Sequence, residues 1–316
     1  MPRGAEHSSD RYFCSMKQCI VVTGANGQLG SEFQDIVDRE QHDWIFLSRK
    51  EMDLEDPVAM RAVLATISAD VIIHCAAYTA VDKAEEDRER AAQINHHATA
   101  LLAEYCQSRE ALMIYYSSDY VYHSETGTPL RESALTTPQG VYAQTKLDGE
   151  NAVRKLSRRH AIFRTSWVYS SHGHNFVHTM MRLMQERDSL SIVADQIGAP
   201  TYARVIAEAT IAALPSLLLM DSTAQDDHLS QTYNLCNGGS TSWHGFAREI
   251  REQLGLTCEL QAIPSSDYPT PAARPEWSVM DCSKLEESFP SVRLPHWRNS
   301  LTDCLRLITE QRADDK

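Results

Sequence analysis

The stretch from 19 to 30 constrains this chain more than any other. Cys19-Ile-Val-Val-Thr23 is an apolar, β-branched run of the kind that makes a buried strand. Gly24-Ala-Asn-Gly27-Gln-Leu-Gly30 follows at once, and an amphipathic helical segment follows that. Glycines at such a junction permit a tight turn, close approach of the backbone to a pyrophosphate, and close packing of helix on strand. The helix N-terminus then turns its unpaired N–H groups toward the phosphates. Without its flanks the spacing would be an ordinary glycine-rich turn. With a strand before it and a helix after it, it reads as a dinucleotide-binding turn.

A strand of this kind needs a sheet, and the downstream pattern supplies one. Strands are expected at 44–47, 71–74, 112–116 and 161–165. Between them fall a helix opening at Pro57, a long helix over 85–106, and a helix carrying Tyr142. Such alternation implies an α/β, Rossmann-type, doubly wound parallel sheet. After Trp167 it weakens into a helix over 176–187, a strand over 190–193, an apolar helix over 203–219 and a polar exposed loop over 221–230. A helix over 243–254, a proline-rich turn over 268–275 and a closing helix over 299–311 complete the pattern. The domain expectation is therefore a dinucleotide-binding domain over 17–165 with part of 190–232. A smaller C-terminal α/β substrate-binding domain is expected, drawn mainly from 166–189 and 233–316. Residues 1–16 are expected to be a disordered extension, within which Met16 could be the natural start.

Charge and cysteine usage narrow the function. A formal charge of -13 argues against nucleic acid or an anionic membrane as a partner, and it leaves any anionic substrate dependent on local cations. Eight cysteines without a C-x-x-C pair suggest free thiols in a reducing cytoplasm. The first residues carry Arg3, Glu6, Asp10 and Arg11 and no apolar core, unlike a signal peptide. The longest apolar run, over 211–220, is broken by Pro215 and too short to span a bilayer.

The candidate chemistry sits on Tyr142-Ala-Gln-Thr-Lys146. On a helix, residues four apart lie on one face. A phenol ionises near ~10. An ammonium about 4 Å away, at an effective dielectric of roughly 20, favours the phenolate by about 4 kcal/mol, near three pKa units. Lys146 is thus expected to acidify Tyr142. Ser117, Ser118 and Asp119 close the fourth strand, where a hydroxyl can polarise a carbonyl. At the end of the second strand an acid would suit NAD. Ser48, Arg49 and Lys50 stand there instead; a hydroxyl and a cation suit a 2′-phosphate and favour NADPH, with NADH left open. Asp53 and Leu54 could flank the adenine, and Ala77, Tyr78 and Thr79 follow the third strand at its carboxyl end.

These blocks come together with Ala76-Ala-Tyr-Thr-Ala-Val-Asp-Lys-Ala-Glu85, Tyr116-Ser-Ser-Asp-Tyr-Val-Tyr122 and Arg164-Thr-Ser-Trp-Val-Tyr169. Asp195-Gln-Ile-Gly-Ala-Pro-Thr201 and Tyr268-Pro-Thr-Pro-Ala-Ala-Arg-Pro275 extend the set. From about residue 18 to 307 the chain resembles the extended short-chain dehydrogenase/reductases and, within them, the dTDP-4-dehydrorhamnose reductase family. That resemblance implies reduction of the C4 ketone of a dTDP-sugar, dTDP-4-dehydro-L-rhamnose, by NADPH. It implies Ser118, Tyr142 and Lys146 as the catalytic trio. Gly27, Gln28, Leu29, Asp53, Leu54, Ala77, Tyr78, Thr79 and Tyr116 would hold the cofactor. Ser118, Asp119 and Trp167 would touch the sugar, and Arg274 the nucleotide diphosphate. The family usually has Thr where this chain has Ser118, so the hydroxyl is kept.

Some members of that family carry magnesium on glutamates at a dimer contact, and Glu32 falls at one such position. A lone carboxylate on an exposed helix is usually solvated, so no metal is assigned and Mg2+ and a homodimer stay open. His96-His97 and His172/His174 lack ligand spacing and read as surface or packing residues. Two other readings remain. One is a different nucleotide-sugar reductase or epimerase on the same fold. The other is a non-catalytic subunit resembling the regulatory subunit of methionine adenosyltransferase. A dehydratase is disfavoured because Tyr120, not Glu, follows Asp119.

Overall fold

The structure, a computed structural model, describes residues 17–123, 127–219 and 231–314. The expected extension over 1–16 and the expected loop over 221–230 lie outside the described residues. The chain runs β1 (Cys19–Thr23), α1 (Gln28–Ile36), β2 (Asp43–Leu47), α2 (Pro57–Ala65), β3 (Val71–His74) and α3 (Val81–Ala84). Next come α4 (Arg88–Ala92), a π-helical turn (Gln93–His97), α5 (Ala98–Arg109), β4 (Leu112–Ser118), α6 (Val141–Leu156) and β5 (His160–Thr165). Then follow β6 (Val168–Tyr169), α7 (Phe176–Glu186), β7 (Ser189–Val193), β8 (Ile197–Gly198), β9 (Thr201–Tyr202), α8 (Ala203–Leu219) and β10 (Thr232–Asn234). β11 (Thr241–Ser242), α9 (Trp243–Gln253), β12 (Glu259–Ile263), α10 (Ser283–Ser288) and α11 (Trp297–Asp314) complete it.

Six strands pair in the order β10-β5-β4-β3-β1-β2, every pair parallel. Parallel sheets are covered on both faces, so their strands read as unbroken apolar runs. Every residue of β3 and β4 is buried accordingly. One face packs Phe33 of α1 and Ile206, Leu214 and Leu217 of α8; the other packs Met60 and Leu64 of α2 and Leu102 and Cys106 of α5. Asp56 fixes the start of α2, its carboxylate accepting from the Val58 and Ala59 N–H groups with Pro57 behind it, a cap worth about 1 kcal/mol. Because the chain leaves β1 outward to β2 and returns to β3, a crevice opens at the carboxyl ends of β1 and β3.

One expectation needs correction. The helix expected over 85–106 begins only at Arg88, after the separate α3, runs on to Arg109 and contains the π turn. A 3.6-residue period cannot reveal one extra residue in a turn. That residue turns Asn95 inward, where its Oδ1 accepts from Tyr78 N at 2.8 Å and its Nδ2 donates to Thr145 Oγ1 at 3.1 Å. The loop after β3 is thereby tied to the helix bearing Tyr142. Gly149 allows this closeness, since a Cβ there would strike the Asn95 carbonyl and the Tyr115 hydroxyl.

A separate apolar core joins Met180, Met184, Phe246, Ile250, Trp297, Leu301 and Ile308 from α7, α9 and α11. Among the described residues seven cysteines are free, and Cys236 and Cys282 place their sulfurs 3.3 Å apart. No helix among them is long and apolar enough to cross a membrane.

Candidate active site

The turn after β1 forms the floor of a cleft of about 670 Å³, within the usual size of a small-molecule site. Gly24 has φ +71°, and a Cβ on it would lie 2.7 Å from Ala76 N at the end of β3. Any side chain there would both strain the backbone and close the crevice. Gly27 ends the turn as the N-cap of α1 and offers no side-chain cap, so the first N–H groups of the helix are open. Gln28 adds a buried Oε1 without a partner. Open N–H donors suit phosphate oxygens, and an acceptor such as Gln28 Oε1 suits a ribose or amide donor. These residues fit a dinucleotide.

Most of the expected cofactor residues line this cleft. Gly24, Gly27, Gln28 and Leu29 do so from the turn, Arg49, Asp53 and Leu54 from beyond β2, and Ala77, Thr79 and Tyr116 from the ends of β3 and β4. Gly30, Ser48 and Tyr78 lie behind the lining. Gly30 lets α1 pack on the Gly24 carbonyl. Tyr78 donates to Asp87 at 3.0 Å. The Ser48 hydroxyl and N–H are both taken by the Glu51 carboxylate.

Ser118, Tyr142 and Lys146 line the same cleft. β4 runs two residues beyond the expected 116, which makes Ser118 its last residue and aims it at the first turn of α6. Ser118 lies beside the Tyr142 phenol, with its own proton donated to Asp119 Oδ1 at 2.9 Å. The Lys146 ammonium donates to Tyr116 O at 2.6 Å and lies 4.3 Å over the Tyr115 ring. The expected acidification of Tyr142 is not found. Burial pushes the phenol up to about 12, with Ser118 pulling down and the Asp119 charge pushing up. Burial likewise brings Lys146 down to about 7, against the pull of Glu150. Desolvation outweighs the attraction because the ammonium is directed at the Tyr116 carbonyl rather than at the phenol. Tyr142 therefore keeps its proton at neutral pH, the form that can donate one.

Asp119 is buried and accepts from Ser118 at 2.9 Å and from Ser166 at 2.9 Å. Burial raises its carboxyl to about 6, opposed by those two hydroxyls and Ser278. Above that pH the carboxylate accepts from both serines; below it a proton takes one of those places and loosens Ser118. If the site is catalytic, kcat/KM should fall as pH drops through about 6, and Asp119→Asn should flatten that acid limb while lowering the plateau. An acid limb of the same shape in Asp119→Asn would assign it to another group.

Trp167 lines the cleft beside Asp119, and three more residues join it: Asn175 and Trp243, which sequence reasoning passed over, and His174, which it read as a surface or packing residue. His174 and Asn175 follow Gly173, whose turn packs on Gln28; Asn175 caps α7. Arg274 stands outside the lining. Its guanidinium grips Asp82 of α3 with two bonds, 2.9 and 2.7 Å, closing the proline-rich segment onto the first half of the chain.

Glu32 also differs from expectation. Far from solvated, it is fully buried. Its Oε1 accepts from Ser170 at 2.5 Å and its Oε2 from Arg204 at 2.8 Å. Asp35 Oδ2 lies 2.7 Å from His172 Nε2 and 3.2 Å from Arg204. Three potential ligand residues do converge, Glu32, Asp35 and His172. Both Glu32 oxygens are nevertheless spent, and a fixed guanidinium already supplies the positive charge. As placed, the set does not fit a divalent cation.

Comparison with known proteins gives the site its context. Residues 16–310 match the family described as RmlD substrate binding domain. The chain is 39% identical over 300 residues to a dTDP-4-dehydrorhamnose reductase of Burkholderia thailandensis, covering 92% of this chain and 99% of that one. It is 35% identical to the enzyme of that name from Salmonella typhimurium, with 92% and 97% covered. Among solved structures, a dTDP-4-dehydrorhamnose reductase of Bacillus anthracis in complex with NADP superposes with a TM-score of 0.84, at 34% identity, over 92% of this chain and 99% of that one.

Proposed function

The chain belongs to the RmlD substrate binding domain family, and from that premise we propose that it reduces the C4 ketone of dTDP-4-dehydro-L-rhamnose to dTDP-L-rhamnose with NADPH. The observation that carries this is the convergence of Ser118, Tyr142 and Lys146 on one cleft floored by the Gly24–Gly27 turn. When bound, reduced NADPH supplies the hydride. The chain's own residues handle the oxygen. The Ser118 hydroxyl, which donates to Asp119 here, would turn to the ketone oxygen when the sugar binds and fix its direction, a dipole aimed at growing negative charge. Tyr142, protonated at neutral pH, delivers its proton to that oxygen as general acid. Lys146, anchored on the Tyr116 carbonyl, would also donate to the nicotinamide ribose. The turn N–H groups and Gln28 would hold the pyrophosphate and its flanking ribose, and Asp53 and Leu54 would border the adenine.

Arg49 supplies the preference for NADPH. Its side chain is 64% exposed, with Glu55 at 2.6 Å and Asp53 at 3.5 Å. Exposed pairs of this kind are worth about 0–1 kcal/mol, whereas a hydrogen bond to a charged group is worth about 1.5–3 kcal/mol. A 2′-phosphate can therefore draw Arg49 away, and Glu55 keeps Arg90 at 2.9 Å as its partner. Arg49→Ala should raise KM for NADPH about 10- to 100-fold and leave NADH within about twofold. Equal losses with both cofactors would remove Arg49 from the 2′-phosphate role.

A cytoplasmic location and a homodimer are part of the same proposal, the latter to be read by gel filtration. The deciding assay mixes purified protein with NADPH and dTDP-4-dehydro-L-rhamnose. NADPH oxidation that depends on the sugar and yields dTDP-L-rhamnose is expected. No turnover, or oxidation independent of the sugar, would overturn the proposal.

A further inference from the structure

Trp167 holds a backbone conformation that a bulky residue seldom adopts, φ +46°. Such strain persists only where the surroundings enforce it, and it collects at functional sites. Ser166 anchors one side by donating to Asp119 at 2.9 Å, and on the other the Trp167 carbonyl accepts from Thr201 N at 3.2 Å. The indole is thereby thrown across Gly198, where a Cβ would lie 2.5 Å from its Cε2.

On the outer face of that indole lies Trp243, the first residue of α9. The two rings stack at 3.6 Å between centroids and 7° between planes. Trp243 is itself clamped. Its Nε1 donates to Gln196 Oε1 at 3.2 Å, Gln196 donates on to Ser265 at 3.0 Å, and the Phe176 ring lies 4.7 Å away. Both indoles are half-buried and both line the cleft that holds Ser118, Asp119 and Tyr142. With its single polar atom committed, Trp243 has only carbon left to offer.

We infer that Trp243 is a positioning residue that stacks on Trp167 and fixes the aromatic wall that borders the sugar. Its role rests on the reduction proposed above. An aromatic pair contributes about 0.5–1.5 kcal/mol beyond its buried area, and Trp243→Ala also loses the wall it supports. KM for the nucleotide sugar should therefore rise about tenfold or more in Trp243→Ala, with kcat lowered less than about threefold and NADPH affinity within about twofold. Trp243→Phe, which keeps a ring on Trp167, should recover most of the loss. An unchanged KM would overturn the inference. So would equal losses for sugar and NADPH, or a Phe variant as poor as Ala.

Calorimetric binding of dTDP-L-rhamnose separates this inference from the reaction itself. Weaker binding in Trp243→Ala beside an inactive wild type would uphold the wall and sink the reaction. Equal binding beside an active wild type would do the reverse.

Discussion

Tyr142→Phe should lower kcat by about 10²–10⁴, equivalent to about 3–5.5 kcal/mol of barrier, while NADPH binding stays near the wild-type value. The phenol is protonated at neutral pH and lies beside Ser118, whereas the Lys146 ammonium is engaged by Tyr116 O. Phenylalanine preserves the ring, whose edge contact with Tyr120 at 5.5 Å needs no hydroxyl. Lys146 keeps its anchor on Tyr116 O, which does not involve Tyr142. Only the transferable proton is removed, and that is why kcat rather than affinity should carry the loss. Ser118→Ala should be milder within the same range, since the proton donor survives and one aiming dipole is lost. Single-turnover kinetics alongside a cofactor titration would read both variants. Turnover near wild type in Tyr142→Phe would show that solvent or another group supplies the proton.

The parts of this site that were legible in the sequence are those encoded over a few residues. A β-branched run followed by Gly24, Gly27 and Gly30 specifies strand, turn and helix locally, and the structure has all three. Tyr142 and Lys146 were legible as a pair because a helix fixes the geometry of residues four apart. What escaped depends on partners far along the chain. Glu32 is buried because Arg204, 172 residues later, neutralises it. Arg274 is engaged because Asp82 lies 192 residues before it. Trp243 meets Trp167 only once α9 has docked. The inverted acidity of Tyr142 and Lys146 belongs to the same class. Coulomb attraction can be reckoned from spacing, but desolvation is set by everything that covers the site, and here it dominates.

That same burial makes the ion pair beneath the site the weak point of the fold, and Arg164→Met should cost about 3–5 kcal/mol of stability. Arg164 on β5 is 1% exposed and meets Glu150, one turn beyond Lys146, in two bonds of 2.8 and 2.7 Å. It also donates to the Tyr122 hydroxyl at 2.6 Å and the Glu132 carbonyl at 3.1 Å. Burial pushes the Glu150 carboxyl upward, but Arg164 and then Arg154 more than offset this and leave it below its usual value. Without Arg164, the cation left to Glu150 among the described residues is Arg154 at 2.6 Å, a partner on its own helix. Most of the expected loss is thus the cost of a buried carboxylate left short of partners, not the net worth of the pair. The two origins separate in the double variant Arg164→Met/Glu150→Met, which removes both charges and should recover much of the stability. Urea unfolding of the two variants would measure it. If the double variant is no more stable than the single, lost packing around Tyr122 and Glu132 rather than an orphaned charge is what unfolds the protein.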